Sequence, residues 1–571
     1  MKEIKHNHAK PAKRGINFII LILIILGISL FLFLFFKPLF ETYEKMSIHI
    51  LRKLKSPTSI KFFFQALLMG FLINIPFLII VFFMYKKIKS KLIRYEILSP
   101  KQEKFTKKKS FNPNALELEL NGQLEIKNPY SGVFISGGAG SGKSKSIVEP
   151  LIYDAGRKNF TGVVYDFKFP ELAKYVETAF LTSKVERKYV NFTNMNITDR
   201  VNPIQPELMK NDSYAREFAY SILANLNPSM ISKPDFWSDN SLSLLAAVFW
   251  YLKVNEPQYC TLAHAISLIL QPDLEALLNL LQSNYKCADM IATILTAYKQ
   301  GAQNQLSGVI SSLQVALSKI NTAEIYFVTS ESDFSLNLND PNKPIILVVG
   351  NDPTLSETYS PVIGLILTSI SKQINQQNKE KSVFLIDEFP TVFVPKVEQL
   401  PATGRSNKVA TILACQDIAQ VTDKYGKDKA DTILSNLGNQ FYGRTTNPET
   451  AKRVSSLFGK SDKLMQSTNQ SKSTSILGTD PKNTRGSSYS YQERDLVKVQ
   501  DVAQLGTGSF YTILSEGNPR QGKTSIPLNT SFIKSELPQK RHITEEQIEN
   551  VFNRIKMEAR DILSDFQDQN Q

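Results

Sequence analysis

Two long apolar stretches open the chain. Ile16 to Phe36 runs 21 residues without a charged side chain, and Phe62 to Tyr85 runs 24. At ~1.5 Å per residue each reaches across a hydrocarbon core of ~30 Å, which predicts an N-terminal two-helix transmembrane hairpin. A cleavable signal peptide is the rival for the first stretch. It fits less well, because the stretch is long and ends in Phe-Phe-Lys-Pro without a small-residue cleavage site. Pro76 in the second stretch is tolerable in lipid. A Lys-rich linker, Ser99 to Pro113, follows. Leu116 to Leu120 and Gln123 to Ile126 then alternate with period two around Asn121-Gly122, which predicts a β-hairpin.

Gly132 to Ser136 reads as a short strand feeding a glycine-rich loop and a helix, and Thr161 to Tyr165 as a buried strand ending at Asp166. From about Asn211 to Ser330 the period changes. Ser241 to Leu252, Thr261 to Leu270 and Asp273 to Leu281 carry helical apolar spacing, so a mostly helical insertion is expected. Trp237, near its start, reads as a core residue. Apolar runs return at Pro344 to Val349, Ser382 to Ile386 and Val409 to Ala414, spaced by helices as in a parallel sheet buried on both faces. Ser461 to Ser490 is polar and Ser/Thr/Asn/Lys-rich, and predicts a flexible loop or a disordered strip. Thr544 to Gln547 is a capping box before an amphipathic helix reaching about Phe566.

Charge changes less than its total suggests. The chain carries a formal +14, but residues 1–110 hold 21 Lys and Arg against 5 Asp and Glu. The remaining 461 residues hold 46 basic and 48 acidic groups, a balance of −2. The basicity belongs to the flanks of the apolar stretches and gives no argument for nucleic acid. Lys86, Lys87, Lys89, Lys91 and Arg94 read as a stop-transfer cluster. Three scattered cysteines make no disulfide framework and suit a reducing compartment. The lone pair His6 and His8 carries no metal reading.

Gly137, Gly138, Ala139, Gly140, Ser141, Gly142, Lys143 and Ser144 satisfy G-x-x-x-x-G-K-[ST]. Glycines let backbone N–H groups converge on phosphates at a helix N-terminus; Lys143 would neutralise the β- and γ-phosphates of ATP, and the Ser144 hydroxyl would ligate Mg²⁺. A glycine turn before a helix is the alternative. Val383 to Ile386 followed by Asp387 and Glu388 supplies the partner. Asp387 at a strand's C-terminal end would hold Mg²⁺ through water, and Glu388 would polarise the attacking water. Leu306-Ser-Gly308 superficially suggests a transporter signature loop, but lies about eighty residues too early and within helical sequence. The 244 residues from Lys143 to Asp387 point instead to a large inserted domain.

With these motifs in order, the chain resembles the type IV secretion coupling proteins of the TraG/TraD class, conjugative relatives of the FtsK and HerA motors. The resemblance rests on the two N-terminal spans, the glycine loop with Pro150 after it, and Asp166-Phe-Lys168. Phe236-Trp237, the acidic pair, Gly404-Arg405 and Ala414 to Gln420 follow, then Ile433 to Asn436, Glu449 to Ala451 and Leu457 to Gly459. Phenylalanines at positions 167 and 169 depart from the family's Asp-Pro-Lys-Gly-Glu turn, which leaves a structural or a phosphate-proximal role open for Asp166 and Lys168.

The resemblance implies a RecA-like P-loop NTPase domain and a homo-hexameric ring with ATP between neighbours. It implies an arginine acting from the adjacent copy: Arg405 first, Arg444 and Arg494 behind it. Gln416 would bond the attacking water or the γ-phosphate. The resulting organisation is a transmembrane hairpin with basic flanks (1–95), a linker (96–113), a nucleotide-binding domain in two parts (114–205 and 336–535), an all-α insertion (206–335), and a C-terminal helix and tail (536–571).

The function so implied is an ATPase of the bacterial inner membrane that carries relaxase-bound single-stranded DNA to a type IV secretion channel. Both termini would be cytoplasmic, since nucleotide is. Protein-effector export and a nucleotide-switched receptor without translocation are the alternatives. FtsK-like chromosome pumping fits less well, because no room for a DNA-reading winged-helix tail follows the last helix.

Overall fold

The computed structural model describes residues 112–118, 124–472, 483–517, 520–528 and 534–570. The two apolar stretches, the stop-transfer cluster and the Asn121-Gly122 turn lie outside the described residues. Among the described residues no helix is long and apolar enough to cross a membrane. Lys107 to the C terminus forms one compact unit.

A pair of short strands leads in: β1 (Leu116–Glu117) and β2 (Glu125–Ile126) run antiparallel with Leu116 opposite Ile126. The central sheet is built from β3 (Val133–Ser136), β4 (Thr161–Asp166), β5 (Glu186–Val190), β6 (Ile345–Gly350), β7 (Ser382–Ile386), β8 (Val409–Cys415) and β9 (Asn439–Tyr442). These run parallel in the order β5-β6-β4-β7-β8-β3-β9. After β10 (Lys460–Lys472) and β11 (Asn483–Asp495), β12 (Ser509–Ile513) joins β9 antiparallel and β13 (Gln521–Ser525) joins β12.

The sequence explains the middle of this sheet. Strands β4, β6, β7 and β8 are buried along their whole length and are apolar almost without interruption, as strands covered on both faces must be. Alternate residues divide between two cores: Phe134, Val163 and Phe384 face one, Val133, Val164 and Val383 the other. The strands that periodicity did not pick out are β5, β9, β12 and β13. Three of them carry the sheet's margins, where charges such as Glu186 and Lys188 replace the apolar run, and β9 has only four residues.

Between β5 and β6 the chain is helical: Asp212–Leu226, Phe236–Asn255, Leu262–Ile269, Leu274–Gln282, Tyr285–Met290, Ala292–Lys299, Gln303–Ser318 and Ala323–Thr329. Asp235, Thr261, Asp273 and Thr322 each accept a backbone N–H at the start of a helix. Each such cap stabilises by about 1 kcal/mol. One expectation fails here. Trp237 is not core: it is 41% exposed beside an exposed Phe236, with its ring lying across Gly308. Asp235 caps the helix that begins at Phe236, and its first two positions face outward.

A second expectation is corrected at 461–490. The described parts of that strip, 461–472 and 483–490, are no loose loop but lie in the ribbon β10–β11, paired over thirteen residues from Lys460–Asp495 to Lys472–Asn483. Low apolar content is no obstacle to a ribbon held by backbone hydrogen bonds, and β-propensity from its Thr and Tyr residues is compatible with one.

The capping box at the tail forms as the sequence predicts, Thr544 N donating to Gln547 Oε1 and Gln547 N to Thr544 Oγ1. The helix it starts, Glu545–Asn570, does not stand apart. It packs on the helical insertion, with Phe552 against Tyr326 and Glu558 Oε2 3.0 Å from His264 Nε2.

Candidate functional site

All seven parallel strands deliver their C-terminal ends to one edge of the sheet, and the glycine loop leaves β3 at that edge. Gly140 and Gly142 adopt φ of 73° and 91°, the left-handed region that glycine enters without strain. A Cβ at Gly142 would also lie 2.9 Å from Gly508 N. The loop is braced from outside: Gly508 N donates to Ser141 O, Thr507 Oγ1 to Gly140 O, and Ser146 Oγ to Ile526 O. The helix that follows begins with a wide turn, Ser144–Val148, before the regular Glu149–Arg157. Pro150 has no N–H to close an ordinary turn onto Ser146, which accounts for the widening.

Strand β7 lies two places from β3, with β8 between them. That spacing brings the acidic pair under the loop. Lys143 Nζ is 3.4 Å from Glu388 Oε2 and 3.5 Å from the Asp387 carbonyl oxygen. Glu388 Oε1 accepts from Gln416 N at 3.2 Å. Asp387 keeps part of its surface accessible, yet its Oδ1 atom is buried and has no hydrogen-bond partner. Burial pushes the Asp387 carboxyl above the ordinary range, opposed by the nearby Lys143 ammonium. An orphaned carboxylate oxygen beside a lysine-bearing loop is an arrangement that a divalent cation completes. Ser144 and Asp387 are the residues able to hold it.

The flanking turns carry the remaining candidates. Gln416 follows β8 with its side chain exposed and its backbone N–H on Glu388. Arg444 follows β9 and reaches this chain's own loop: its backbone oxygen accepts from Gly138 N at 2.8 Å, and Nη2 donates to Ala139 O at 3.3 Å. Within one chain, then, Arg444 contacts its own glycine loop. Arg405 sits four residues before β8 begins, exposed at the opposite edge of the sheet. Seven strand residues at ~3.3 Å put roughly 20 Å between it and its own loop. Arg494 is exposed at the base of the β10–β11 ribbon, opposite Ser461.

Asp166 resolves as a capping residue. Its Oδ2 accepts from Leu172 N and Ala173 N, at 2.8 and 2.9 Å, which fixes the start of the helix Glu171–Ala179. Complete burial raises its carboxyl to about 7, with the Asp387 charge adding to the rise and the two backbone donors opposing it. Lys168 is exposed in the turn between. The phenylalanine beside it is structural too, Phe169 packing onto Gly350.

Residues 86–550 match the family model for type IV secretory system conjugative DNA transfer. The chain belongs to that family. No curated protein sequence matches it. Among solved structures, the unbound bacterial conjugative coupling protein TrwB is similar at 16% identity, with a TM-score of 0.57 over 76% of this chain and 92% of that one. TrwB with ADP and Mg²⁺ gives 16% and 0.57 over 75% and 92%. TrwB with a non-hydrolysable ATP analogue gives 15% and 0.56 over 76% and 92%. At such identities the likeness is one of fold. It places this conjugative-transfer family member on the same α/β, mostly parallel sheet.

Sequence reasoning missed two parts of this site. One is the contact of Arg444 with its own loop, which needs β9 beside β3. The other is Asp417, whose only local signal is the capping pair it makes with Gln420.

Proposed function

We propose that this conjugative-transfer protein is an ATP-hydrolysing coupling motor, held in the bacterial inner membrane by its N-terminal spans with both termini in the cytoplasm. In this reading it works as a homo-hexameric ring that moves relaxase-bound single-stranded DNA to a type IV secretion channel. The observation that carries it is Lys143 resting on Glu388 beneath the loop, next to the unpartnered Asp387 oxygen. TrwB's complexes with ADP and Mg²⁺ and with an ATP analogue support nucleotide and Mg²⁺ as the ligands here.

The chemistry follows from those positions. Arriving phosphates draw the Lys143 ammonium away from Glu388, because a polyphosphate outcompetes one carboxylate. Glu388, still fixed by Gln416 N, is then free to accept a proton. A water oxygen attacks the γ-phosphorus, the bond to the bridging oxygen breaks, ADP leaves, and the water's proton passes to Glu388. Mg²⁺ at Ser144 and Asp387 would neutralise charge on the phosphate oxygens. Arg444 holds the loop from the same chain, and Arg405, remote from its own loop, would serve a neighbour's nucleotide.

The test is ATPase activity of the full chain against protein concentration, with and without single-stranded DNA. Steep concentration dependence and stimulation by DNA are expected. Turnover per chain that ignores both would refute the ring motor. Cross-links from a stalled motor to protein instead of DNA would reassign the cargo.

A further inference from the structure

Asp417 makes more contacts than a helix cap requires. Its Oδ1 accepts from Ala419 N at 2.9 Å, which caps its own helix Ile418–Tyr425. The same oxygen accepts from Asn447 Nδ2 at 2.9 Å and Thr450 Oγ1 at 2.8 Å, and Oδ2 accepts from Thr445 Oγ1 at 2.8 Å. Those three donors belong to the turn after β9 and to the helix Pro448–Phe458, which Asn447 caps through Glu449 N. The carboxylate therefore lies between two helix N-termini, whose dipoles favour its charge.

The topology gives this clasp its meaning. Strand β3 lies between β8 and β9, so a bridge from the turn after β8 to the turn after β9 passes across the root of the phosphate loop. On one side Asp417 is bonded in sequence to Gln416, whose N–H holds Glu388. On the other, Thr445 is bonded to Arg444, which grips Gly138 and Ala139.

We infer that Asp417 is a positioning residue for nucleotide hydrolysis, holding Gln416 and Arg444 in register on the two sides of the loop. This rests on the hydrolytic reading above. It assigns Asp417 no contact with nucleotide: it acts through the two residues beside it.

The experiment is a double-mutant cycle in the full-length protein. Asp417→Ala should lower kcat at least ~10-fold, as small misplacements of catalytic groups do, with KM for ATP changed less than ~3-fold. Asp417→Asn keeps the acceptor that takes three donors and should retain most of the activity, which separates positioning from failure to fold. Arg444→Ala should also lower kcat, and adding Asp417→Ala to it should cost much less than in the wild-type background. Losses that multiply in the double variant, or an Arg444→Ala enzyme with wild-type kcat, would overturn the inference. A wild-type protein that binds nucleotide but never hydrolyses it would instead sink the hydrolytic reading. Amide exchange across residues 137–144 then decides the clasp alone: faster exchange in Asp417→Ala but not in Asp417→Asn supports it, and unchanged exchange in both refutes it.

Discussion

Lys143 Nζ stands 3.4 Å from Glu388 Oε2, and both side chains are about 10% exposed, so the two charges neutralise each other in a poorly solvated place. Removing one partner strands the other charge in a poorly solvated place, which costs ~3–5 kcal/mol for a buried pair. Lys143→Met should therefore destabilise as well as abolish turnover, and Glu388→Gln in the same chain should restore most of the lost stability without activity. Urea midpoints of the two single variants and the double variant check this. An Lys143→Met protein as stable as wild type would refute the pairing.

Glu388→Gln alone should keep nucleotide binding and lose ~10²–10⁴-fold in kcat, the range for removing a general base. Equilibrium binding of a fluorescent ATP analogue beside steady-state turnover separates the two. Normal turnover would remove Glu388 from the mechanism.

Arg405 stands exposed at the far edge from its own loop, and the proposed ring would bring it to another copy's site. Arg405→Ala and Lys143→Ala should each be inactive alone. Mixed, they should regain part of the wild-type rate, because some interfaces pair an intact Lys143 with an intact Arg405. Mixtures as dead as their components would exclude Arg405 as the residue supplied by a neighbour.

Asp166 links stability to pH. Burial holds its carboxyl at about 7 in the folded chain, against an ordinary 3.8. The folded form thus keeps a proton that the unfolded form has lost, so the associated stability is present at low pH and disappears as pH rises through about 7. Wild type should lose ground to Asp166→Asn between pH 5 and 8, read as the difference in their urea midpoints. A difference constant across that range would show that Asp166 does not titrate there.

The β10–β11 ribbon should be dispensable for folding. Its base is closed independently, Leu496 N donating to Gly459 O, and Phe458 packs on Tyr511 of the sheet. Joining residues 461 and 494 by a short turn should leave the melting temperature within a few degrees, since a two-stranded ribbon adds little stability of its own. A collapse of the melting transition would show that the ribbon holds the domain together.

How legible the chain was depended on the range of the forces involved. Glycine spacing, the lysine and the paired carboxylates after an apolar strand are local chemistry, and they marked Lys143, Asp387 and Glu388 as one site across 244 residues. Buried central strands announced themselves by unbroken apolar runs, and the insertion by its helical period. Trp237 was misread because a large aromatic side chain near a helix start carries no local sign of which way the cap will turn it. The described parts of the polar strip, 461–472 and 483–490, were misread because backbone hydrogen bonding leaves no hydrophobic trace.

By itself, then, the amino-acid order marked the groups proposed to meet a polyphosphate and where the sheet's interior lies, because glycine torsions, carboxylates and apolar runs act within a few residues of themselves. Only the tertiary structure decided where each arginine stands relative to the glycine loop. It set β9 beside β3, which puts Arg444 on its own loop, and it set Arg405 a strand's length away at the other edge. It also closed the Asp417 bridge. Strand order is settled by packing over the whole sheet, and no window of sequence contains it.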